Sequence, residues 1–164
     1  VMALEGLRDI EVVRANVEDI EEQAGGGLRI LVHGKGKEGF IYPREDTVAV
    51  LKTYLKARGT VDTDEHGTPI FTAVGNRAGG RRITRDGVRD VVDFYLMKAD
   101  LKRPGLSCHG LRHTCGALLY QATRDVKAVQ ETLRHADVST AGRYSHIVER
   151  NEARYTRAIP VKAI

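Results

Sequence analysis

The chain has 164 residues, 41% of them hydrophobic, which is enough for one domain with its own core. Lysine and arginine outnumber aspartate and glutamate by 26 to 22, and the resulting net charge of +4 permits a nucleic-acid partner but equally suits a basic enzyme with a small anionic substrate. Two cysteines cannot form a disulfide framework, and we find neither a membrane-length apolar stretch nor a signal peptide, so we expect a soluble cytoplasmic protein.

The first third of the chain is predicted to contain helical turns followed by a small sheet. Residues 2–13 carry apolar side chains at helical spacing, and Gly6 interrupts them, which predicts two short helices or one kinked helix. A β-hairpin follows, because two apolar segments flank a turn rich in glycine and lysine. The predicted strands are 28–33 and 40–42 around the turn 34–37, with 17–21 as a candidate third strand.

The rest of the chain is predicted to be mainly helical. One amphipathic helix ends at Gly59, a long loop covers 59–83, and Thr84 has the character of an N-cap. The fold class is therefore α+β, mainly α-helical, with a small antiparallel sheet near the N-terminus. The predicted helices of this part are 47–58, 84–99, 109–121, 126–133 and 139–158.

The segment from Cys108 to Cys115 concentrates residues that could carry chemistry. His109 and Arg112 are three residues apart, so on a helix they share a face. His109 and His113 have a spacing that also occurs between zinc ligands, so a metal site is an alternative. We disfavour it, because the cysteines do not form a C-x-x-C pair and further ligands would have to come from scattered histidines. We therefore predict no metal and no cofactor.

A second notable segment runs from Leu133 to His146. It contains His135 and, nine residues later, Tyr144, which stands between polar neighbours rather than inside an apolar run. Taken alone, Tyr144 could be an ordinary packed aromatic side chain near the end of a domain.

Four sequence boxes together resemble the tyrosine site-specific recombinases of the phage-integrase family. The run His109-Gly-Leu-Arg112-His-Thr resembles an H-x-L-R-H-T box, and Gly6-Leu-Arg8-Asp-Ile-Glu11 resembles a G-L-R-x-x-E box. The other two are Gly34-Lys35-Gly-Lys37, similar to a G-K-G-x-K turn, and the segment from Leu133 through Tyr144 to His146, similar to an L-G-H…S-T…Y-T-H box. The boxes stand in the family's order, so the chain is identified as a catalytic domain of this type over 1–164.

The resemblance implies a role for each matching residue in breaking and rejoining DNA. Tyr144 would be the nucleophile that forms a covalent 3′-phosphotyrosine. Arg8 and Arg112 would hold the scissile phosphate, and Glu11 would brace Arg8. Lys35 would be the general acid for the leaving oxygen, and His109 would assist proton transfer. His135 would hydrogen-bond the phosphate.

General chemistry agrees with that set of residues. Attack on a phosphodiester adds negative charge to its oxygens, and two guanidinium groups are rigid, permanently charged donors for it. A phenol with a pKa of about 10 is a weak nucleophile at neutral pH and needs a cationic field and a base. Because cationic side chains supply the charge and the phosphotyrosine conserves the bond energy, neither a metal nor ATP is needed.

Three features depart from the family's pattern. Gly110 replaces a common aspartate, a change that we expect to be harmless. Arg134 stands where the family usually has glycine, so it either touches the DNA backbone or alters the turn. The chain also begins almost at the first arginine box, so we expect the N-terminal core-binding domain of the family to be absent and the isolated chain to bind DNA weakly.

A basic loop that leads into a predicted helix N-terminus is the candidate DNA-contact surface, because such an end favours phosphate. A solvated run of charge is the plainer interpretation. The predicted contacts are Arg77, Arg81, Arg82, Thr84 and Arg85, with Lys37 and Arg134.

Three alternatives remain beside a recombinase that acts on double-stranded DNA. A nicking-closing enzyme similar to type IB topoisomerases would use the same residues without pairing two sites. A DNA-binding module with an inactive site and a zinc-binding structural domain are the others. The recombinase interpretation implies further protomers as partners, four on paired sites in the longer protein, with the isolated chain monomeric.

Overall fold

The computed structural model describes residues 1–73, 75, 80–134 and 144. The chain divides into two compact units, Val1–Cys115 and Gly116–Ile164. Within the described residues the order of elements is α1 (Met2–Glu5), α2 (Asp9–Arg14), a 3-10 turn (Val17–Asp19), β1 (Ile20–Glu22), β2 (Leu28–His33), β3 (Glu38–Ile41), α3 (Glu45–Arg58), α4 (Arg85–Lys98), α5 (Cys108–Thr123) and α6 (Val126–Leu133).

Gly6 separates the first two helices, so of the two predicted alternatives the chain forms two short helices rather than one kinked helix. Its backbone adopts the left-handed conformation with φ 65°, and its N–H donates to the carbonyl of Met2, which ends α1. Arg8 is extended and begins α2, where the Glu11 carboxylate accepts a hydrogen bond from the Arg8 N–H at 2.8 Å. The two helix ends therefore bracket the three residues 6–8.

The sheet is antiparallel, as predicted, and its strand order is β1-β2-β3. The central strand β2 alternates between buried and half-buried side chains, which is the pattern of a strand with one face on the core. In its register, Ile30 lies opposite both Ile20 and Ile41, and His33 lies opposite Glu38. The candidate third strand exists, although residues 17–19 form the 3-10 turn and the strand itself begins at Ile20.

The core of the first unit lies between α2, β2 and α4. Leu7, Val12, Val32 and Val88 are almost fully buried there. Ile70, from the segment between α3 and α4, is 1% exposed in the same cluster. The long loop predicted over 59–83 therefore contributes a side chain to the core. Burial of one aliphatic side chain stabilises a fold by roughly 1.5–3 kcal/mol.

The second unit buries four side chains among its described residues. They are Tyr120 of α5, Val129 and Leu133 of α6, and Tyr144, which lies in a helix. Apart from Tyr144, the helix predicted over 139–158 lies outside the described residues. In the part of the chain that the structure describes, no helix combines the length and the apolar character that crossing a membrane requires.

Candidate active site

Three helices contribute polar side chains to one cleft in the first unit. The cleft has a volume of about 290 Å³ and is bordered by the start of α2, the first turns of α4 and the first turns of α5. Residues from both ends of this unit's sequence thus meet at one place. Its charged and imidazole side chains are Arg8, Asp9, Arg85, Arg89, His109 and Arg112.

Arg8 is held by a carboxylate on its own helix. Nη1 of Arg8 donates to Oε1 of Glu11 at 2.8 Å, while the other Glu11 oxygen accepts from the Arg8 backbone. Glu11 is 2% exposed and the Arg8 side chain 35%, so a buried carboxylate orients a guanidinium that still reaches the cleft. Such a pair fixes the direction of the arginine fork before any ligand binds.

Arg112 is buried and tied to the chain just before Arg8. Its side chain is 1% exposed, and Nη1 donates a hydrogen bond to the carbonyl of Gly6. Because the side chain is almost fully buried, this contact helps to set the position of Arg112 relative to the start of α2.

His109 lies on the first turn of α5 and is exposed. Its ring meets the His113 ring edge to face, with 4.5 Å between centroids. His109 and Arg112 are one helical turn apart and line the same cleft, as their spacing predicted. The N-terminus of α5 adds a partial positive charge at this position.

Sequence reasoning missed Asp9 and Arg89, which also line the cleft. Oδ2 of Asp9 lies 2.9 Å from Nη2 of Arg85 and 3.4 Å from Nη2 of Arg89. Burial raises the pKa of the Asp9 carboxyl, but the hydrogen bond from Arg85 and the charges of both arginines outweigh it, so this pKa lies below its ordinary value of 3.8. The four-residue spacing of Arg85 and Arg89 was the available signal, since it places both on one face of a helix.

The hairpin turn that carries Lys35 and Lys37 is anchored to α2. Nη1 of Arg14, the last residue of α2, donates to the carbonyl of Gly34 at 2.9 Å. A Cβ atom added at Gly34 would lie 3.5 Å from Oε1 of Glu11, the oxygen that holds Arg8. The base of the turn is therefore next to the Arg8–Glu11 pair. Lys35 itself is exposed and is not among the described residues that line the cleft.

His33 closes the hairpin at the base of the same turn. Its Nδ1 lies 2.8 Å from Glu38 and its Nε2 lies 3.1 Å from Asp19. Burial lowers the pKa of His33, but the hydrogen bonds to these two carboxylates outweigh it and hold the pKa above its ordinary value of 6.5. A protonated His33 therefore ties β2 to both β3 and the 3-10 turn.

The predicted DNA-contact residues occupy different environments. Arg82 is turned into the protein: its guanidinium donates to Asp64, to Asn16 and to the carbonyls of Val13 and Gly67. The others that the structure describes are exposed or half-exposed, namely Lys37, Arg81, Thr84, Arg85 and Arg134.

Thr84 is the N-cap of α4, as predicted, and its hydroxyl accepts from the N–H of Gly87 at 3.0 Å. Arg134 ends α6 in the left-handed conformation with φ 52°. The last turn of α6 therefore closes at the position where the family's pattern usually has glycine. Arg77 and His135 lie outside the described residues.

Tyr144 belongs to the second unit and is 1% exposed. Its ring packs closely on α5 and α6 of that unit: a Cβ atom added at Gly116 would lie 2.6 Å from Cζ of Tyr144 and 2.9 Å from Cδ1 of Leu133. The absence of a side chain at Gly116 is what allows the phenol ring to lie there.

The cysteines near His109 are both buried, and neither forms a disulfide. Burial raises the pKa of the Cys108 thiol, which keeps it protonated at neutral pH. Within the described residues, no three His, Cys, Asp or Glu side chains come together as a metal-binding group. The metal alternative gains no support from this part of the chain.

Comparison with known proteins gives consistent results. A family model described as the phage integrase family matches residues 1–150. The chain is 32% identical over 143 residues to tyrosine recombinase XerD of Staphylococcus epidermidis, a match that covers 87% of this chain and 46% of that protein. The chain thus spans about half the length of the curated relatives that it matches.

Two solved structures share the fold. XerH site-specific recombinase, in a pre-cleavage complex with its difH substrate, matches with a TM-score of 0.73 and 26% identity over 94% of this chain and 43% of that one. XerA recombinase matches with a TM-score of 0.74 and 26% identity over 99% of this chain and 57% of that one.

Proposed function

The chain belongs to the phage integrase family, and from this premise we propose that it is the catalytic domain of a site-specific tyrosine recombinase that cleaves and rejoins double-stranded DNA. The observation that carries the proposal is the convergence of Arg8, His109 and Arg112 on one cleft, although about 100 residues separate the first from the other two. Two guanidiniums and an imidazole in one cleft suit a phosphodiester whose negative charge grows during the reaction.

In the proposed reaction, Arg8 and Arg112 hold the non-bridging oxygens of the scissile phosphate. Glu11 does not touch DNA but orients Arg8. Arg112 is fixed through Gly6, so both guanidiniums are organised before DNA arrives, and little reorganisation is left for the transition state.

Tyr144 is the proposed nucleophile. Its phenolic oxygen attacks the phosphorus and loses its proton, with His109 assisting the transfer, and the bond from phosphorus to the 5′ oxygen breaks. Rejoining is the reverse: a 5′ hydroxyl attacks the phosphotyrosine and releases Tyr144. Because the ring is 1% exposed, we propose that attack requires the side chain to leave its place against Gly116 and Leu133.

Lys35 is the proposed general acid for the departing 5′ oxygen. An exposed lysine on a turn with Gly36 at φ 72° has the freedom to approach DNA, while the contact between Arg14 and Gly34 keeps the turn beside the Arg8–Glu11 pair. His135, outside the described residues, is proposed from the sequence box to hydrogen-bond the phosphate.

Further contacts with the DNA backbone are proposed for the other basic and polar residues that the sequence singled out. The N-terminus of α4 at Thr84 suits a phosphate, because its N–H groups and helix dipole favour negative charge. Arg82 is better explained as an anchor of the preceding loop, since its donors are taken by protein acceptors. The proposed contact residues are Lys37, Arg77, Arg81, Thr84, Arg85 and Arg134, and four protomers are proposed to assemble on paired sites in the longer protein.

A suicide DNA substrate tests the function and the nucleophile together. A nick near the cleavage position lets the short 5′-hydroxyl fragment diffuse away, so that the covalent protein–DNA adduct accumulates and is seen on a denaturing gel. Because the target sequence is unknown, the substrate is a pool of duplexes from the flanks of the parent gene. We expect an adduct with the native chain and none with Tyr144→Phe.

Two outcomes would count against the proposal. An adduct that persists in Tyr144→Phe would exclude this tyrosine as the nucleophile. No adduct from the longer protein that contains this chain, on the same pool, would contradict the function. Exchange between two defined sites, rather than relaxation of supercoiled DNA alone, separates a recombinase from a nicking-closing enzyme.

A further inference from the structure

The cleft holds two arginines beyond those proposed to hold the scissile phosphate. Arg8, Arg85, Arg89 and Arg112 contribute four positive charges. Asp9, the adjoining Glu11, and Asp86, which lies 3.0 Å from Arg89, contribute three negative ones, so the net charge of these groups is +1. Arg8 and Arg112 are the two proposed for the scissile phosphate, so Arg85 and Arg89 line the cleft without a part in that contact.

The remaining arginines form a pair of their own on α4. Arg85 and Arg89 are four residues apart, so they lie on the same face of this helix. Their side chains are 52% and 49% exposed, whereas that of Arg82, three residues before Arg85, is 11% exposed and bonded within the protein. A guanidinium has five N–H donors, and half-exposed arginines retain donors for an external anion.

Asp9 connects this pair to the arginines of the scissile phosphate. One of its oxygens accepts from the N–H of Ile10 at 2.7 Å, which fixes the carboxylate on α2, and the other faces Arg85 and Arg89. Asp9 follows Arg8 directly in the chain. The start of α2 thus sets the positions of both arginine groups, Arg8 by its own side chain and the α4 pair through Asp9.

We propose that Arg85 and Arg89 form a second phosphate subsite, which binds the phosphate next to the scissile one on the cleaved strand, and that Asp9 is its positioning residue. The inference rests on the proposed function and adds to it a contact that fixes the register of the strand. When two neighbouring phosphates are bound at once, the DNA strand can occupy only one register along the cleft. The subsite therefore determines which phosphorus is attacked.

The subsite is tested first by the salt dependence of binding to a random-sequence duplex, which needs no target site and no chemistry. The double variant Arg85→Gln/Arg89→Gln is expected to reduce the slope of log affinity against log salt by about one, the value of one lost phosphate contact. The matched control, Arg44→Gln/Arg103→Gln, removes two arginines that are each 62% exposed and paired with an aspartate outside the cleft, and it should keep the native slope.

An equal slope for the subsite variant and the native chain would overturn the subsite. So would an equal reduction in both double variants, since that would reflect general charge alone. Circular dichroism checks that glutamine, a good helix former, has preserved α4, and Arg85→Lys/Arg89→Lys, which keeps the charge, is expected to restore the slope.

The position of the second phosphate is tested once the adduct assay has mapped the cleavage point. A neutral methylphosphonate replaces the phosphate next to the scissile one. The native chain should lose affinity about tenfold, which is a typical loss for one charged contact, while the double glutamine variant should lose none because its subsite is already gone. An equal loss in both proteins would place the phosphate of this subsite elsewhere.

Asp9→Asn tests the positioning role. The adduct-forming rate at saturating DNA should fall about tenfold because the arginines lose their fixed partner, the salt slope should stay native, and Asp9→Glu should recover part of the rate. A variant that binds more tightly and also reacts faster would show that Asp9 only repels DNA. If the native chain binds with the expected slope but the longer protein that contains it forms no adduct on the same pool, the proposed function fails while the subsite stands.

Discussion

The guanidinium of Arg112 donates a hydrogen bond to the backbone carbonyl of Gly6, across 106 residues of chain. Gly6 lies two residues before Arg8, and its left-handed backbone ends α1. The contact therefore joins the two arginine boxes of the sequence into one unit. Arg112 is buried, so protein contacts such as this one, rather than solvent, set its position.

Replacement of Arg112 by lysine keeps the positive charge but removes the planar guanidinium group with its several donors. A single ammonium cannot donate to Gly6 and hold a phosphate in the manner of a planar fork. We expect the rate of adduct formation to fall by about 100-fold or more, and the free energy of unfolding to fall by about 1–3 kcal/mol. A time course on the suicide substrate and urea unfolding measure the two effects.

Arg44→Lys is the control for this change, because Arg44 is exposed and paired only on the surface. Its adduct rate and stability should stay close to native. Native activity in Arg112→Lys would contradict the assigned role of this arginine.

Arg82→Gln is expected to weaken the fold without changing the electrostatic part of DNA binding. The change removes donors to Val13, Asn16 and Gly67, which should lower the free energy of unfolding by about 2 kcal/mol. The slope of affinity against salt should stay native, because this guanidinium is committed to the protein. Urea unfolding measures the stability, and filter binding at several salt concentrations measures the slope. A reduced slope in Arg82→Gln would show that Arg82 contacts DNA after all.

Asp64, the carboxylate partner of Arg82, adds a pH dependence at low pH. The hydrogen bond from Arg82 outweighs desolvation and lowers the pKa of Asp64 from 3.8 to about 2. A depressed native pKa means that this contribution to stability is complete above pH 3.8 and is lost as pH falls towards 2. In Arg82→Gln this part of the acid dependence should disappear.

His33 should give the stability of the chain a pH dependence near neutrality. Its native pKa is raised by Asp19 and Glu38, so folding favours the protonated form. The contribution is complete below the ordinary pKa of 6.5 and is lost as pH rises through the higher native value. Urea unfolding from pH 5.5 to 8.5 should show stability falling more in the native chain than in His33→Gln.

His66→Gln is the matched control, since the His66 ring is 67% exposed and its side chain is 3.7 Å from Glu65. It should follow the native pH dependence. If His33→Gln shows the same dependence of unfolding free energy on pH as the native chain, the contacts of His33 with Asp19 and Glu38 contribute nothing to folding.

Gly116→Ala should destabilise the second unit. The added methyl group would approach Cζ of Tyr144 to 2.6 Å and Cδ1 of Leu133 to 2.9 Å, closer than carbon atoms can lie. Forcing the ring aside is expected to cost about 1–3 kcal/mol of unfolding free energy, measured by urea. Gly25→Ala, which has no neighbour within 4 Å of the added carbon, should change stability little, and equal effects of both variants would contradict this packing.

Most of the local structure was predictable from the sequence, because it depends on neighbouring residues. Gly6 ends one helix and Thr84 caps another, each through contacts within a few residues. The alternation in residues 28–33 placed β2 correctly for the same reason. Ile70 was harder to interpret, because a short apolar segment inside a polar loop gives no period, and only its packing partners place it in the core.

The sequence by itself determined the order of helices and strands and the residue types of the boxes that define the family. Tertiary structure alone decided which basic residues line the cleft and which support the fold. Arg82 and Arg85 are three residues apart and have the same charge, yet one supports a loop and the other lines the cleft. The physical reason is distance along the chain. Arg82 meets Asp64 and Gly67, 15 to 18 residues away, and Val13 and Asn16, 66 to 69 residues away, while Arg85 meets Asp9 at 76 residues. No local pattern records which of these partners a guanidinium will meet.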